Sequence, residues 1–99
     1  MNLRSQQSKF VAAVGKLICY AYSLGYELTF SDTYPGKDNH HKGSFHEKGL
    51  AIDINLFKDD ELLILTEHHE KLGEYWECLG GSWGGHWNDG NHYSWGEKR

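Results

Sequence analysis

His46-Glu47-Lys48-Gly49-Leu50-Ala51-Ile52-Asp53-Ile54-Asn55-Leu56-Phe57 is the stretch on which the fold turns. From Gly49 to Phe57 it is apolar apart from Asp53 and Asn55, as a central strand is. A carboxylate inside such a strand is costly to bury alone, so Asp53 calls for a metal or a hydrogen-bond network. His46 lies too far ahead of Asp53 to sit on a neighbouring turn of one helix. It suits a loop-to-strand entry, with Ser44 helping to orient that corner.

Upstream, Phe10, Val11, Val14, Leu17, Ile18, Ala21 and Leu24 recur at helical spacing. They predict an amphipathic helix from Ser5 to Leu24, with Ser5 a candidate cap and Gly25 the stop. Tyr26 to Thr33 mixes aromatic, β-branched and leucine residues and predicts a strand, while Pro35 to Gly43 reads as an exposed loop. Downstream, Leu62, Leu65, Leu72, Tyr75, Trp76 and Leu79 predict a second helix over Asp59–Leu79, irregular in its first turn and ended by Gly80-Gly81. Short aromatic runs around Asp89-Gly90-Asn91 predict a terminal hairpin that brings His92 alongside the Gly49–Phe57 strand. Helix, strand, strand, helix, hairpin is the order of an α+β domain: a small antiparallel sheet with flanking helices.

Composition narrows the function. With 99 residues and no repeat or linker, the chain reads as one domain, residues 1–99, whose modest core a bound metal would stabilise. A net charge of −4 argues against a nucleic-acid binder, because phosphates need a basic face. Trp83, Trp87 and Trp95 crowd the C-terminal stretch beside polar and glycine residues, which suits the wall of a substrate cleft as well as a core. Cys19 and Cys78 lack Cys-x-x-Cys spacing and read as buried or semi-buried thiols of a reducing compartment. The N-terminal MNLRSQQSKF has no apolar signal segment, and no run approaches the ~18 apolar residues of a membrane span. The expectation is a soluble cytoplasmic monomer without membrane insertion, which needs another agent to let it out.

Asp89-Gly90-Asn91-His92 supplies a second imidazole and a second carboxylate. His46, Asp53 and His92 can fill three positions around a zinc ion and leave the fourth for water, the arrangement of a hydrolytic site rather than a closed structural one. Asp89, three residues before His92, is then placed to accept a proton from that water without binding the metal. The chain reads as a small zinc hydrolase. Blander readings exist for each residue alone: a surface histidine at 46, a strand-end carboxylate at 53, a turn residue at 89 and a packing histidine at 92. The combination is what argues against them.

His86, between Gly85 and Trp87, is a candidate donor to a tetrahedral intermediate, a substitute ligand or a surface histidine packed on tryptophan. His40 and His41 read as solvated, and His68 and His69 as helix-surface or interhelix hydrogen-bonding groups. Position 50 is leucine, so His46-Glu47 does not open a His-Glu-x-x-His motif. There is no phosphate loop and no Gly-x-Ser-x-Gly elbow.

At these residues the chain resembles the M15 family of zinc peptidases, which includes D-Ala-D-Ala carboxypeptidases and bacteriophage L-alanyl-D-glutamate endopeptidases. The pattern Ser-x-His-x-x-Gly-x-Ala-x-Asp is met by Ser44, His46, Gly49, Ala51 and Asp53, and the later acidic-x-x-His element by Asp89 and His92. The similarity extends through Leu24–Thr29, Ile52–Phe57, Leu72–Trp76 and Trp83–Tyr93. The resemblance implies zinc ligands His46, Asp53 and His92, Asp89 as general base, and the small α+β fold shared with Hedgehog proteins. It implies a phage-type endolysin, released by a holin or similar pore, that cuts the peptide stem of bacterial peptidoglycan, with L-Ala-D-Glu the expected bond. The rivals are a D-Ala-D-Ala carboxypeptidase and a catalytically weak, metal-bound virion or wall-binding module. Substrate or transition-state contacts are expected from Ser44, His86 and Trp87. Two positions depart from the pattern: Pro35 stands where relatives carry an arginine, and His86 where an acidic residue usually follows Trp-Gly-Gly.

Overall fold

A computed structural model of the chain describes residues 2–31, 45, 46 and 48–97. Helix α1 spans Leu3–Ser23 and buries Phe10, Val14, Leu17 and Ala21 of the expected stripe together with Ala13, while Val11 faces solvent. Its cap is Asn2 and not Ser5: the Asn2 Oδ1 accepts the Ser5 N–H at 2.8 Å, satisfying one of the free amides of the first turn. Strand β1 is Glu27–Phe30; of the expected Tyr26–Thr33, Tyr26 and Ser31 lie beyond its ends, and positions 32 and 33 lie outside the described residues. Strand β2 (Ala51–Lys58) is the centre of the sheet.

The expected second helix begins later than its apolar spacing suggested. Asp59 and Asp60 both adopt left-handed backbone, with φ of 53° and 64°, and form a two-residue turn of the primed type that matches strand twist. The chain therefore folds back as β3 (Glu61–Leu63), with Lys58 opposite Glu61. A 3-10 turn over Thr66–His69 follows, and only then α2, Glu70–Cys78. Strands β4 (Ser82–Trp83) and β5 (His92–Ser94) pair antiparallel, so the terminal hairpin exists. A second 3-10 turn, Gly84–Trp87, and the Asp89–Asn91 segment form its long connection.

Among the described residues the sheet runs β1-β2-β5-β4, with β3 also paired to β2, and every pairing is antiparallel. Both helices contribute to a single core: Phe10, Leu17 and Ala21 from α1, Leu72 and Trp76 from α2, against Ile54, Leu56 and Tyr93 of the sheet. Trp76 is fully buried, edge-on to Phe10, Tyr93 and Trp95 at 5.8–5.9 Å. Its indole N–H reaches the Ser94 carbonyl at 2.9 Å, tying α2 to β5. Trp83 is also core, its N–H satisfied by the Gly90 carbonyl at 2.8 Å, so of the two readings the sequence allows, core and cleft wall, it takes the first. Cys19 and Cys78 are exposed free thiols rather than buried ones, because each falls on the outer face of its helix. No helix among the described residues is long and apolar enough to cross a membrane.

Candidate metal centre

Asp53 and His92 are Cα partners on β2 and β5. The Ile54 N–H bonds to the Asn91 carbonyl at 2.9 Å and the Trp95 N–H to the Leu50 carbonyl at 2.9 Å. That spacing makes Asp53–His92 a non-hydrogen-bonded pair, the position at which opposed side chains stand closest. Ile54 and Tyr93, the next residue on each strand, point into the core, so the pleat turns Asp53 and His92 to the opposite face. The His92 Nδ1 lies 3.1 Å from the Asp53 Oδ1.

His46 arrives from the turn before β2. There the Leu50 N–H reaches the Phe45 carbonyl at 2.8 Å and the Gly49 N–H the His46 carbonyl at 3.1 Å. These nested bonds are those of a Schellman-type turn, which needs a left-handed residue at the place Gly49 fills with φ of 71°. Gln7 of α1 donates its amide to the Lys48 carbonyl at 2.7 Å and holds the turn in place. The His46 Nε2 is thereby set 3.1 Å from the His92 Nδ1 and 3.3 Å from the Asp53 Oδ1.

The three atoms form a nearly equilateral triangle with edges of 3.1–3.3 Å. A tetrahedral zinc with bonds of about 2.0 Å needs ligand–ligand edges of about 3.3 Å, so the triangle fits one face of such a site. The chemistry of the donors agrees. The Glu97 Oε1 lies 2.6 Å from the His92 Nε2, a separation that requires a proton between them, donated by the ring. Neutral His92 then turns a bare lone pair at Nδ1 toward the Asp53 oxygen and the His46 nitrogen. Three atoms able to ligate a metal thus converge on one point, which a metal ion or a shared proton would bridge. Burial pushes the His92 imidazole down, but hydrogen bonds to Asp53 and Glu97 and their charges outweigh it and hold it above the usual histidine value. Protons and a metal therefore compete for this site as pH falls.

Asp89 stays outside this group of three. Its N–H bonds to the Gly84 carbonyl at 2.9 Å and its carbonyl accepts the His92 N–H at 3.1 Å, so its backbone helps aim His92. It is half-buried and lines a cavity of about 210 Å³ together with Asn55, Asn88 and Asn91. The Trp87 ring lies 6.3 Å from that of His92. His86 is exposed and engaged elsewhere: its Nε2 sits 2.7 Å from the Glu77 Oε2 of α2. Ser44, Pro35, His40 and His41 lie outside the described residues. His69 is buried rather than on a helix surface, its Nδ1 2.7 Å from the Tyr93 hydroxyl. Burial, with a smaller contribution from His68, lowers its pKa to about 4, and burial raises that of Tyr93 above the ordinary phenol range. The hydroxyl therefore donates to a neutral His69.

Glu97 is the residue that sequence reasoning missed. Nothing in Trp95-Gly96-Glu97 marks it, except that a glycine precedes an acid just past the last ligand. Gly96, with φ of 87°, turns the chain so that Glu97 meets His92 again.

A sequence model of the family described as D-alanyl-D-alanine carboxypeptidase matches residues 37–95. That is more than half of the chain and includes His46, Asp53, Asp89 and His92. No curated protein matches it.

Proposed function

The chain belongs to the D-alanyl-D-alanine carboxypeptidase family of M15 peptidases, and from that premise we propose a zinc-dependent peptidoglycan peptidase of the phage endolysin kind. Its bond is an amide of the peptide stem, between L-Ala and D-Glu. The convergence of the His46, Asp53 and His92 ligand atoms within 3.1–3.3 Å of one another carries this reading.

Those three residues would hold zinc, which when bound supplies a Lewis acid that polarises a carbonyl and lowers the pKa of water toward ~7. Asp89 takes a proton from the attacking water as its oxygen bonds to the scissile carbon. It returns that proton to the leaving amine as the C–N bond breaks. Trp87, beside His92, forms an apolar wall that limits stray water. The chain acts as a single monomeric domain on wall peptide, held in the host cytoplasm until a holin or similar pore admits it to the wall.

A second reading, removal of a terminal D-Ala, is favoured by the description of the matched family. Mass spectrometry of muropeptides digested by zinc-loaded protein separates the two. New L-Ala and D-Glu termini support the endopeptidase, and loss of one D-Ala the carboxypeptidase. Unchanged muropeptides would sink both and leave a metal-bound wall-binding module.

A further inference from the structure

We propose that Glu97 is the positioning residue of the metal centre: it takes the single ring proton of neutral His92 and so frees both His92 Nδ1 and Asp53 Oδ1 to hold a metal. This role presupposes the zinc centre proposed above.

Two carboxylates compete for that proton. Asp53 approaches Nδ1 at 3.1 Å, whereas Glu97 approaches Nε2 at 2.6 Å. If the proton sat on Nδ1, the ring would donate to Asp53. One hydrogen bond would then block two of the three ligating atoms, and the metal-free site would close on itself. With the proton on Nε2 both atoms stay bare, and the ring is locked at the orientation in which Nδ1 faces His46. The shorter contact favours the second state, and burial strengthens the preference. The side chains are 4% and 13% exposed for His92 and Glu97, so water competes little for the bond. An exposed ion pair would hold nothing in place. Carboxylates on the outer nitrogen of a ligating histidine tune metal affinity roughly 10- to 100-fold.

Two measurements on the full chain test this, with zinc alone as the probe. The first is zinc affinity by competition with a chromogenic chelator. Glu97→Leu should weaken binding roughly 10- to 100-fold. Glu97→Gln, whose amide oxygen still accepts the Nε2 proton, should recover most of the loss. The second uses no metal: long-range ¹H–¹⁵N spectra of the apo protein, at a pH where His92 is neutral. Wild type should show the Nε2–H tautomer and Glu97→Leu a shift to Nδ1–H. Unchanged zinc affinity in a folded Glu97→Leu protein, or an unchanged tautomer, overturns the role of Glu97 while leaving the zinc centre standing. Failure of wild type to bind zinc at all overturns the centre and this role together.

Discussion

The triangle of His46, Asp53 and His92, the proposed metal ligands, and Asp89 outside it are expected to support different things. Removing an imidazole removes a metal bond, and metal binding to the native state adds to folding free energy, about 4 kcal/mol at a thousandfold excess over Kd. His46→Ala or His92→Ala should therefore abolish stoichiometric zinc, measured by atomic absorption, and cancel the zinc-dependent rise in melting temperature. Full occupancy in the double variant would remove both from the ligand set. Asp89 sits outside the triangle, and its substitution should separate chemistry from binding. Asp89→Asn keeps the shape and the backbone bonds but cannot take a proton. We expect zinc content and melting temperature to be retained, and turnover to fall by roughly 100-fold or more, the scale of general acid–base catalysis. Loss of zinc alongside activity would make Asp89 a ligand, and near-normal lysis would make it a turn residue. The clustering of His46, Asp53 and His92 was legible because a carboxylate inside an apolar strand calls for a partner and the two histidines are the partners the fold brings to it. Glu97 was not, because only the backbone reversal at Gly96 brings it to His92.

Among the elements, the turn from Phe45 to Leu50 is the one whose conformation the metal centre depends on most directly. Gly49→Ala must hold an alanine at φ of 71°, with its Cβ 3.0 Å from the Gln7 amide nitrogen. The backbone cost is about 1 kcal/mol, which for a domain of this size lowers the melting temperature by roughly 4–8 °C. Because the strain falls on the segment that carries His46, zinc affinity should drop as well, read by the same chelator competition. Unchanged affinity in a destabilised protein would show that His46 is held by something other than this turn. The glycine of His-x-x-Gly is thus legible in hindsight as a backbone requirement. Strand β3 was not legible. Leu62 and Leu65 have helical spacing, and the turn ahead of them uses Asp59-Asp60 where asparagine and glycine would have announced a hairpin. The connection before β5 was likewise misjudged, since Asp89-Gly90-Asn91 ends a longer path through a 3-10 turn rather than forming a tight turn alone. Strand β2 was readable because the stretch from Gly49 to Phe57 is apolar apart from Asp53 and Asn55.

Across the whole molecule, the His69–Tyr93 bond links the segment before α2 to the strand that carries His92. His69 has a pKa of about 4 in the fold against 6.5 when exposed. Between those values the unfolded chain binds the extra proton, so the stability contributed by neutral His69 is full above pH 6.5 and is lost as pH falls toward about 4. The upper bound is about 3 kcal/mol, from 1.36 kcal/mol per pKa unit. His69→Asn keeps an acceptor near the Nδ1 position and cannot charge. In chelator-treated samples its melting temperature should fall less steeply than that of wild type across this window, and parallel slopes would remove His69 as the source. Of the three candidate ligands, His46 and Asp53 lie close together in the sequence, whereas His92 follows them by 46 and 39 residues. A grip of that kind has a chronology. His46 and Asp53 leave the ribosome well before the strand that completes the site, and a histidine and an aspartate alone hold zinc weakly. We therefore expect metal capture to be the final event in the making of this protein. In stopped-flow refolding, zinc uptake should trail the change in tryptophan fluorescence that accompanies burial of Trp76 and Trp83, and uptake that runs ahead of it would place the metal at the start of assembly instead.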